Sequence, residues 1–437
     1  MTILRALLGL AFFCAVAWAL SSDRRRVNLR VVLGGIGLQI GLALLILKTG
    51  FGRAVLDKLS IFATSVLSFG QEGARMVFGP ILTGFGVDLS AAQGPSSIQV
   101  FSDFPGHLPT ESVAYAAPVS FAFGALTTII YFSALMAILY HLGVVQFFVR
   151  LLANAMRYTL RVSGAESLAM AANVFVGQTE APLVVRPYIS KMTRSELMAL
   201  MTGGFATIAG SVLAVYIGLL GEEFAGHLLA ASFMSAPAAF VLAKIMVPET
   251  ETPLTAGGAE QVEVEDDQPT NVLDAAATGT SDGLKLYLNV VAMLVAFVAI
   301  VGLINAGLGL LPLGLEEPMT LQRIFGYIFA PVAWMMGIEW GDCIAFGSLL
   351  GTKVAVNEFI AFSDMQALQG EISNRSYTMA AYALCGFANF ASVGIQIGGI
   401  GSLAEGRRKD LSQLALRAML GGAMASWMTA TIAGMFL

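Results

Sequence analysis

Gly204-Phe205-Ala206-Thr207-Ile208-Ala209-Gly210 is echoed far downstream by Gly386-Phe387-Ala388-Asn389-Phe390-Ala391-Ser392. Each copy follows an apolar segment that is interrupted by polar residues including a carboxylate. These are Gly177-Gln178-Thr179-Glu180-Ala181-Pro182 before the first copy and Val356-Asn357-Glu358-Phe359 before the second. A duplicated unit, broken at mid-membrane depth and holding a charge there, is how many secondary transporters build a substrate site.

The surrounding composition is that of a membrane protein. The chain is 57% hydrophobic and 12% charged, with mean hydropathy +0.76. So few charges cannot keep the surface of a soluble chain of 437 residues wet. Apolar runs of about 20 residues recur, long enough to cross a hydrocarbon core roughly 30 Å thick, and their number favours a helical bundle over a barrel. The net charge of −5 misleads, because nine acids and no Lys or Arg lie between Lys244 and Lys285. No basic patch with interleaved aromatics is present, so no nucleic acid polymer is expected as a partner. Cys14, Cys343 and Cys385 read as small buried hydrophobes. His107, His141 and His227 are too scattered for a metal centre.

Eight spans are expected, at about 3–21, 31–49, 115–141, 194–219, 223–246, 285–308, 376–401 and 412–436. Residues 52–78 and 319–337 read as interfacial helices and 79–114 as loop. A shorter amphipathic helix carries Arg150, Arg157 and Arg161. The capping boxes Ser163–Glu166 and Thr193–Glu196 bracket a segment of about 14 residues, a break at Gly177–Glu180 and a second half-helix of about eight, each too short to cross. Residues 163–190 therefore read as a re-entrant hairpin, and 340–363 as a second, broken around Gly351–Glu358. Arg24–Arg30 and Arg407–Lys409 set the sidedness. With the first span uncleaved and its N-terminus outside, the first hairpin enters from the cytoplasm and the second from outside. The fold class is thus an all-α polytopic membrane protein with eight transmembrane helices, two opposed re-entrant hairpins, an inverted repeat and interfacial helices. By sequence order, 1–162 and 283–338 form a scaffold, 163–248 and 339–437 a transport domain, and 249–282 an acidic cytoplasmic linker with a short helix near Val272–Ala277.

A carboxylate near the bilayer centre costs about 2.5–3.5 kcal/mol, so Glu180 and Glu358 are the first candidates for substrate contact. Gln178 and Thr179 add an amide and a hydroxyl able to read a base edge, although a polar turn would look similar. Asn389 and Ser392, three apart, share a helical face and suit vicinal hydroxyls, or act as interhelical glue. Asn173 and Thr207, with carbonyls freed near Val176 and Ile208, offer neutral oxygens for Na⁺, or simply bond their own helices. Lys353 either pairs with an acid or lies at the polar side of the second hairpin, and is left unassigned.

At these residues the chain resembles the concentrative nucleoside transporters. The three hallmark stretches are Gly177-Gln178-Thr179-Glu180-Ala181-Pro182-Leu183, Val356-Asn357-Glu358-Phe359 and Cys385-Gly386-Phe387-Ala388-Asn389, in order and spacing over nearly the whole chain. The resemblance implies a homotrimer in which a scaffold holds a moving domain with both hairpins. It implies nucleobase contacts from Gln178, Thr179, Glu180, Val212 and Phe387, and ribose contacts from Glu358, Asn389 and Ser392. It implies sodium bound by Asn173, the Val176 carbonyl, Thr207 and the Ile208 carbonyl. Thr207 stands where serine is expected in close bacterial relatives, and the hydroxyl is kept. The expected protein is a Na⁺-coupled symporter of nucleosides (uridine, cytidine, adenosine class) in a bacterial inner membrane, with both termini periplasmic. A proton-coupled symporter of the same fold is the nearest alternative. An intramembrane enzyme or a passive channel is remoter, since no nucleophile–base pair or metal constellation is present.

Overall fold

In an apolar medium no water satisfies the amides orphaned at a helix start, so polar caps decide where helices begin. The computed structural model describes residues 2–50, 125–256, 269–310 and 318–437, with scattered positions between 52 and 77. The readings for 52–78, 79–114 and 115–124 lie wholly or largely outside the described residues.

Span one is α1 (Thr2–Ala19), closed by Arg24, whose Nη2 donates to the Ala19 carbonyl at 2.7 Å. Span two is α2 (Leu29–Ala43), capped by Asn28 and continued by a π-helical turn, Leu44–Lys48. The described part of span three, α3 (Thr128–His141), meets the amphipathic α4 (Val144–Leu160) at 75°. Gly143 turns that corner with φ of 79°, a left-handed conformation that costs glycine little.

Both expected capping boxes are present. Ser163 and Glu166 open α5 (Gly164–Asn173), and Thr193 and Glu196 open α7 (Arg194–Ala206). Between them the first hairpin turns over 174–180. Its second arm is a 3₁₀ segment, Ala181–Val185, and one turn of α-helix, α6 (Arg186–Ile189), instead of a half-helix of about eight residues. Pro182 is tolerated in the first turn, but Pro187 removes an amide donor midway along the arm and so prevents one regular helix over 181–189.

The rest runs α8 (Gly210–Leu220), α9 (Ala225–Met246), α10 (Val272–Gly309), α11 (Leu321–Met335), α12 (Cys343–Ala355), α13 (Glu358–Ala367), α14 (Asn374–Leu384), α15 (Phe390–Leu403) and α16 (Arg408–Ala433). Asn271 caps α10. The end of the acidic stretch is therefore not linker: from Val272 it forms the first turns of the 38-residue helix that becomes span six.

Spans four and seven, continuous by hydropathy, are each two half-helices. Span four unwinds over Thr207–Ala209 and span seven over Cys385–Asn389. The two breaks press against each other. Gly386 has φ of 136°, and a Cβ there would lie 2.8 Å from the Phe205 carbonyl oxygen. Hydropathy registers none of this, because the break depends on backbone contact between residues far apart in the chain. The two signatures also differ in register: Thr207 closes α7, whereas Asn389 opens α15.

The long helix α16 fixes the hairpin orientations. Its 26 residues extend about 39 Å at about 1.5 Å each. At its start, Arg407 Nη1 donates to the carbonyls of Ser190 at 3.1 Å and Met192 at 2.5 Å, where the first hairpin ends. At its far end, Arg375 joins the Gly434 carbonyl at 2.6 Å to the Gly337 carbonyl at 2.9 Å, where the second hairpin begins. The hairpins thus open toward opposite ends of α16, as an inverted repeat requires.

The packing does not follow chain order. α2 lies along α9, and α1 against α9 and α16. Gln39 Nε2 donates to the Met234 carbonyl at 3.0 Å and Thr429 Oγ1 at 3.2 Å. α3 lies along α10, with Gly279 and Gly283 admitting the close approach. Spans one and two therefore pack with five and eight, and span three with six.

Candidate functional site

The tips of the two hairpins meet at the two broken spans. Asn357 caps α13, its side chain accepting from the Ile360 amide at 2.8 Å, so that Glu358 becomes the first residue of that helix. The partial positive charge of a helix N-terminus favours a carboxylate there. Glu358 is buried. Its Oε1 accepts from the Tyr216 hydroxyl at 3.0 Å and its Oε2 from Asn389 Nδ2 at 2.8 Å.

Asn389 is more than a residue sharing a face with Ser392. It is the N-cap of α15, its Oδ1 accepting from the Ser392 amide at 2.8 Å. One asparagine thus caps a half-helix with its oxygen and binds Glu358 with its nitrogen. Ser392 Oγ in turn accepts from Gln178 Nε2 at 3.2 Å. Gln178 Oε1 accepts from Gln396 Nε2 at 3.0 Å, and the same amide donates to the Met201 carbonyl at 3.1 Å. A polar chain therefore runs from Tyr216 through Glu358, Asn389, Ser392 and Gln178 to Gln396, joining both hairpins and both breaks. Gly204 makes room for it, since a Cβ there would lie 2.7 Å from Gln396 Nε2 and 2.9 Å from Gln178 Cβ.

The remaining base-contact candidates lie around this chain. Val212 is buried in the first turn of α8, and Phe387 is half-buried in the break of span seven. Thr179 and Glu180 are exposed at the tip of the first hairpin. Gly177 gives the Glu180 carboxylate its place, because a Cβ would collide with it. Thr179 leans toward α15, where its Cγ2 would meet a Cβ on Gly399 at 3.7 Å.

The ion candidates gather on the other side of the first break. Asn173 is buried and donates to the Ala169 carbonyl at 3.1 Å. Its Oδ1 is buried without a hydrogen-bond partner. Asn173 Nδ2 and the Gly203 backbone are close neighbours, and Thr207 Oγ1 donates to the Gly203 carbonyl at 2.9 Å. That bond leaves the hydroxyl's lone pairs free to accept. The Val174 carbonyl is filled by Ser232 Oγ at 3.2 Å and the Phe175 carbonyl by the Gly210 amide at 3.1 Å. The Val176 and Ile208 carbonyls receive no hydrogen bond from the described residues. Neutral oxygens left without donors in a buried place suit a hard monovalent cation.

Tyr216 and Gln396 belong to this centre, though the sequence assigned them nothing. Tyr216 lies four residues after Val212, and Gln396 four after Ser392, one turn on along the same helix face. A polar residue one turn from a candidate, on an otherwise apolar helix, was the available signal.

Known proteins share this architecture. The family model described as the Na⁺-dependent nucleoside transporter N-terminus matches residues 8–81, and its C-terminal counterpart matches 227–434. A nucleoside-recognition "Gate" model matches 122–223. The chain is 39% identical to the uncharacterized transporter YutK of Bacillus subtilis over the full length of both. It is 37% identical to the nucleoside permease NupC of Helicobacter pylori, covering 99% of this chain and 97% of that protein. The structure of the transporter CNTnw in an inward-facing, substrate-bound state is 38% identical, with a TM-score of 0.86, covering 100% of this chain and 98% of that one. A variant of CNTnw in an outward-facing state matches with a TM-score of 0.87 and 38% identity over the same shares.

Proposed function

The chain belongs to the Na⁺-dependent nucleoside transporter family, and from that premise we propose a Na⁺-coupled symporter that accumulates nucleosides across a bacterial inner membrane. It is a membrane transporter and not an enzyme. The observation that carries the finer reading is the buried chain Tyr216–Glu358–Asn389–Ser392–Gln178. It presents a carboxylate, two amides and two hydroxyls at the meeting of both hairpins. In this reading Glu358, Asn389 and Ser392 hold the ribose, and the carboxylate accepts from its hydroxyls. Gln178, Thr179 and Glu180 read the base edge, with Val212 and Phe387 against its ring.

Sodium would be held by Asn173 Oδ1, Thr207 Oγ1 and the carbonyls of Val176 and Ile208, and the unpartnered Asn173 oxygen supports that fit. Inward movement of one Na⁺ is worth about 2.3 kcal/mol per 100 mV, enough with its concentration gradient to accumulate a neutral solute more than tenfold. The unit bearing both hairpins moves against a scaffold, carrying the site from one face to the other, within a homotrimer whose subunits keep both termini periplasmic. Uptake of labelled uridine and adenosine into proteoliposomes tests this. Accumulation is expected under an imposed Na⁺ gradient. Accumulation under a proton gradient without Na⁺ would transfer the coupling to a carboxylate, and equilibration without concentration would make the protein a passive channel.

A further inference from the structure

Lys353 is fully buried, and nothing in the proposed transport cycle uses it. It sits in the last turn of α12. Its Nζ donates to the Ala383 carbonyl at 2.8 Å and to Ser426 Oγ, on α16, at 2.6 Å. Ala383 lies in the last turn of α14, whose final carbonyls lose their intrahelical donors because span seven unwinds at Cys385. The negative end of α14 thus meets an ammonium carried on the last turn of α12.

The other side of the same break is the mirror image in charge. Glu358 begins α13, and Asn389, its partner, begins α15. The positive ends of two helices converge on one carboxylate. Both charges come from the second hairpin. Among the described residues no ion pair joins them; they flank the break instead of meeting across it.

We propose that Lys353 is a positioning residue for the substrate site. It ties the end of α14 to the second hairpin and to α16, which sets where the break carrying Phe387 and Asn389 lies. Its charge also balances Glu358 in an interior too apolar to hold one unpaired ion. The inference rests on the reading that Glu358 and Asn389 hold the nucleoside. A lysine acting as a mere hydrogen-bonding peg would have no energetic link to Glu358, and a double-variant cycle measures that link.

Lys353→Met, Glu358→Gln and the combined variant are purified with the wild type. Nucleoside binding and thermal unfolding are measured in the same Na⁺ buffer. Lys353→Met is expected to weaken binding about tenfold or more and to lower Tm, because it strands the carboxylate. Glu358→Gln is expected to lower Tm in the wild-type background and to raise it in the Lys353→Met background, without restoring binding. Binding by Lys353→Met within threefold of wild type, or an equal Tm loss from Glu358→Gln in both backgrounds, would overturn the proposal. If Lys353→Met does not accumulate, the combined variant decides: a folded protein supports charge balance and an unfolded one overturns it. Failure of the wild type to bind any nucleoside would strike the functional reading instead, and the sign of the Tm change would still test the balance.

Discussion

Glu358→Ala separates a substrate ligand from a buried structural acid. The wild-type carboxylate accepts from Tyr216 at 3.0 Å and Asn389 at 2.8 Å, and each of its oxygens keeps lone pairs for a further donor. A hydrogen bond to a charged group contributes about 1.5–3 kcal/mol. At about 1.4 kcal/mol per factor of ten, loss of one such bond to a ribose hydroxyl weakens binding about 10- to 150-fold. A second hydroxyl would multiply that loss to the point where uptake disappears. The substitution also strands the Tyr216 hydroxyl and the Asn389 amide, at about 1–3 kcal/mol of stability each. The loss of an expensive buried charge offsets part of that cost. Tyr216→Phe is the control, since it removes one donor and leaves the carboxylate, so Tm should fall while affinity changes far less than in Glu358→Ala. The assay is equilibrium binding of labelled uridine and adenosine in saturating Na⁺, with thermal unfolding in parallel. A Kd within threefold of wild type beside a lowered Tm would refute the ribose assignment and leave Glu358 a structural acid.

Thr207→Ala and Asn173→Ala should each raise the Na⁺ concentration needed for half-maximal uptake by about tenfold, the effect of losing one oxygen ligand, while the order of preference among nucleosides stays the same. An altered preference with an unchanged Na⁺ requirement would refute the ion site. Gly386→Ala should cost about 1–3 kcal/mol from backbone strain alone, with further loss from the contact with the Phe205 carbonyl; a folded yield and Tm equal to wild type would contradict the close crossing of the breaks. Asp342, at the open end of the second hairpin, would be pushed up by burial, but hydrogen bonds from Ser376 and Ser373 outweigh that and hold its carboxyl below the usual range. A carboxyl depressed in the folded state contributes stability above its unfolded value, about 3.9, and loses it as pH falls through the lower folded value. Asp342→Asn should therefore lower stability by about 0.5–1 kcal/mol at neutral pH, a small effect at a partly exposed site, and the gap should close below about pH 4. A gap unchanged from pH 7 to pH 3 would refute it.

The features legible in the sequence were those with local causes. Both capping boxes, the acid beside Asn357 and the polar tip of the first hairpin depend on residues three or four apart, and the structure bears them out. Hydropathy located spans four and seven but not their interruptions. An apolar helix and two apolar half-helices have the same composition. What unwinds them is the approach of Gly386 to Phe205 and Ala206, a contact between residues far apart in sequence. The register offset between Thr207 and Asn389 was hidden for the same reason, because the letters align while the helix ends do not. The roles of Tyr216 and Lys353 did not follow from spacing alone, since only the tertiary fold brings the one to Glu358 and the other to the end of α14.

Breaking four helices inside an apolar bundle orphans many backbone groups, and each must find a partner. In the second unit, side chains serve three of the helix ends: Asn357 the start of α13, Asn389 the start of α15, and Lys353 the end of α14. The charged group there is the Glu358 carboxylate, which has acceptor capacity to spare and calls for hydroxyl donors. In the first unit, Ser232 and Gly210 fill the Val174 and Phe175 carbonyls, and the described residues supply no donor beyond them to the Val176 and Ile208 carbonyls. The Val176 and Ile208 carbonyls and Asn173 Oδ1 are left as acceptors alone. A set of acceptors with no donor and no net charge repels a carboxylate and offers a neutral hydroxyl no advantage over water, whereas a cation meets every one of them at once. The two copies of one repeat thus differ in what their breaks leave unpaired. That difference is the physical reason to assign sodium to the first break and the sugar to the second, and exchanging their polar residues should exchange neither function without moving the helix ends as well.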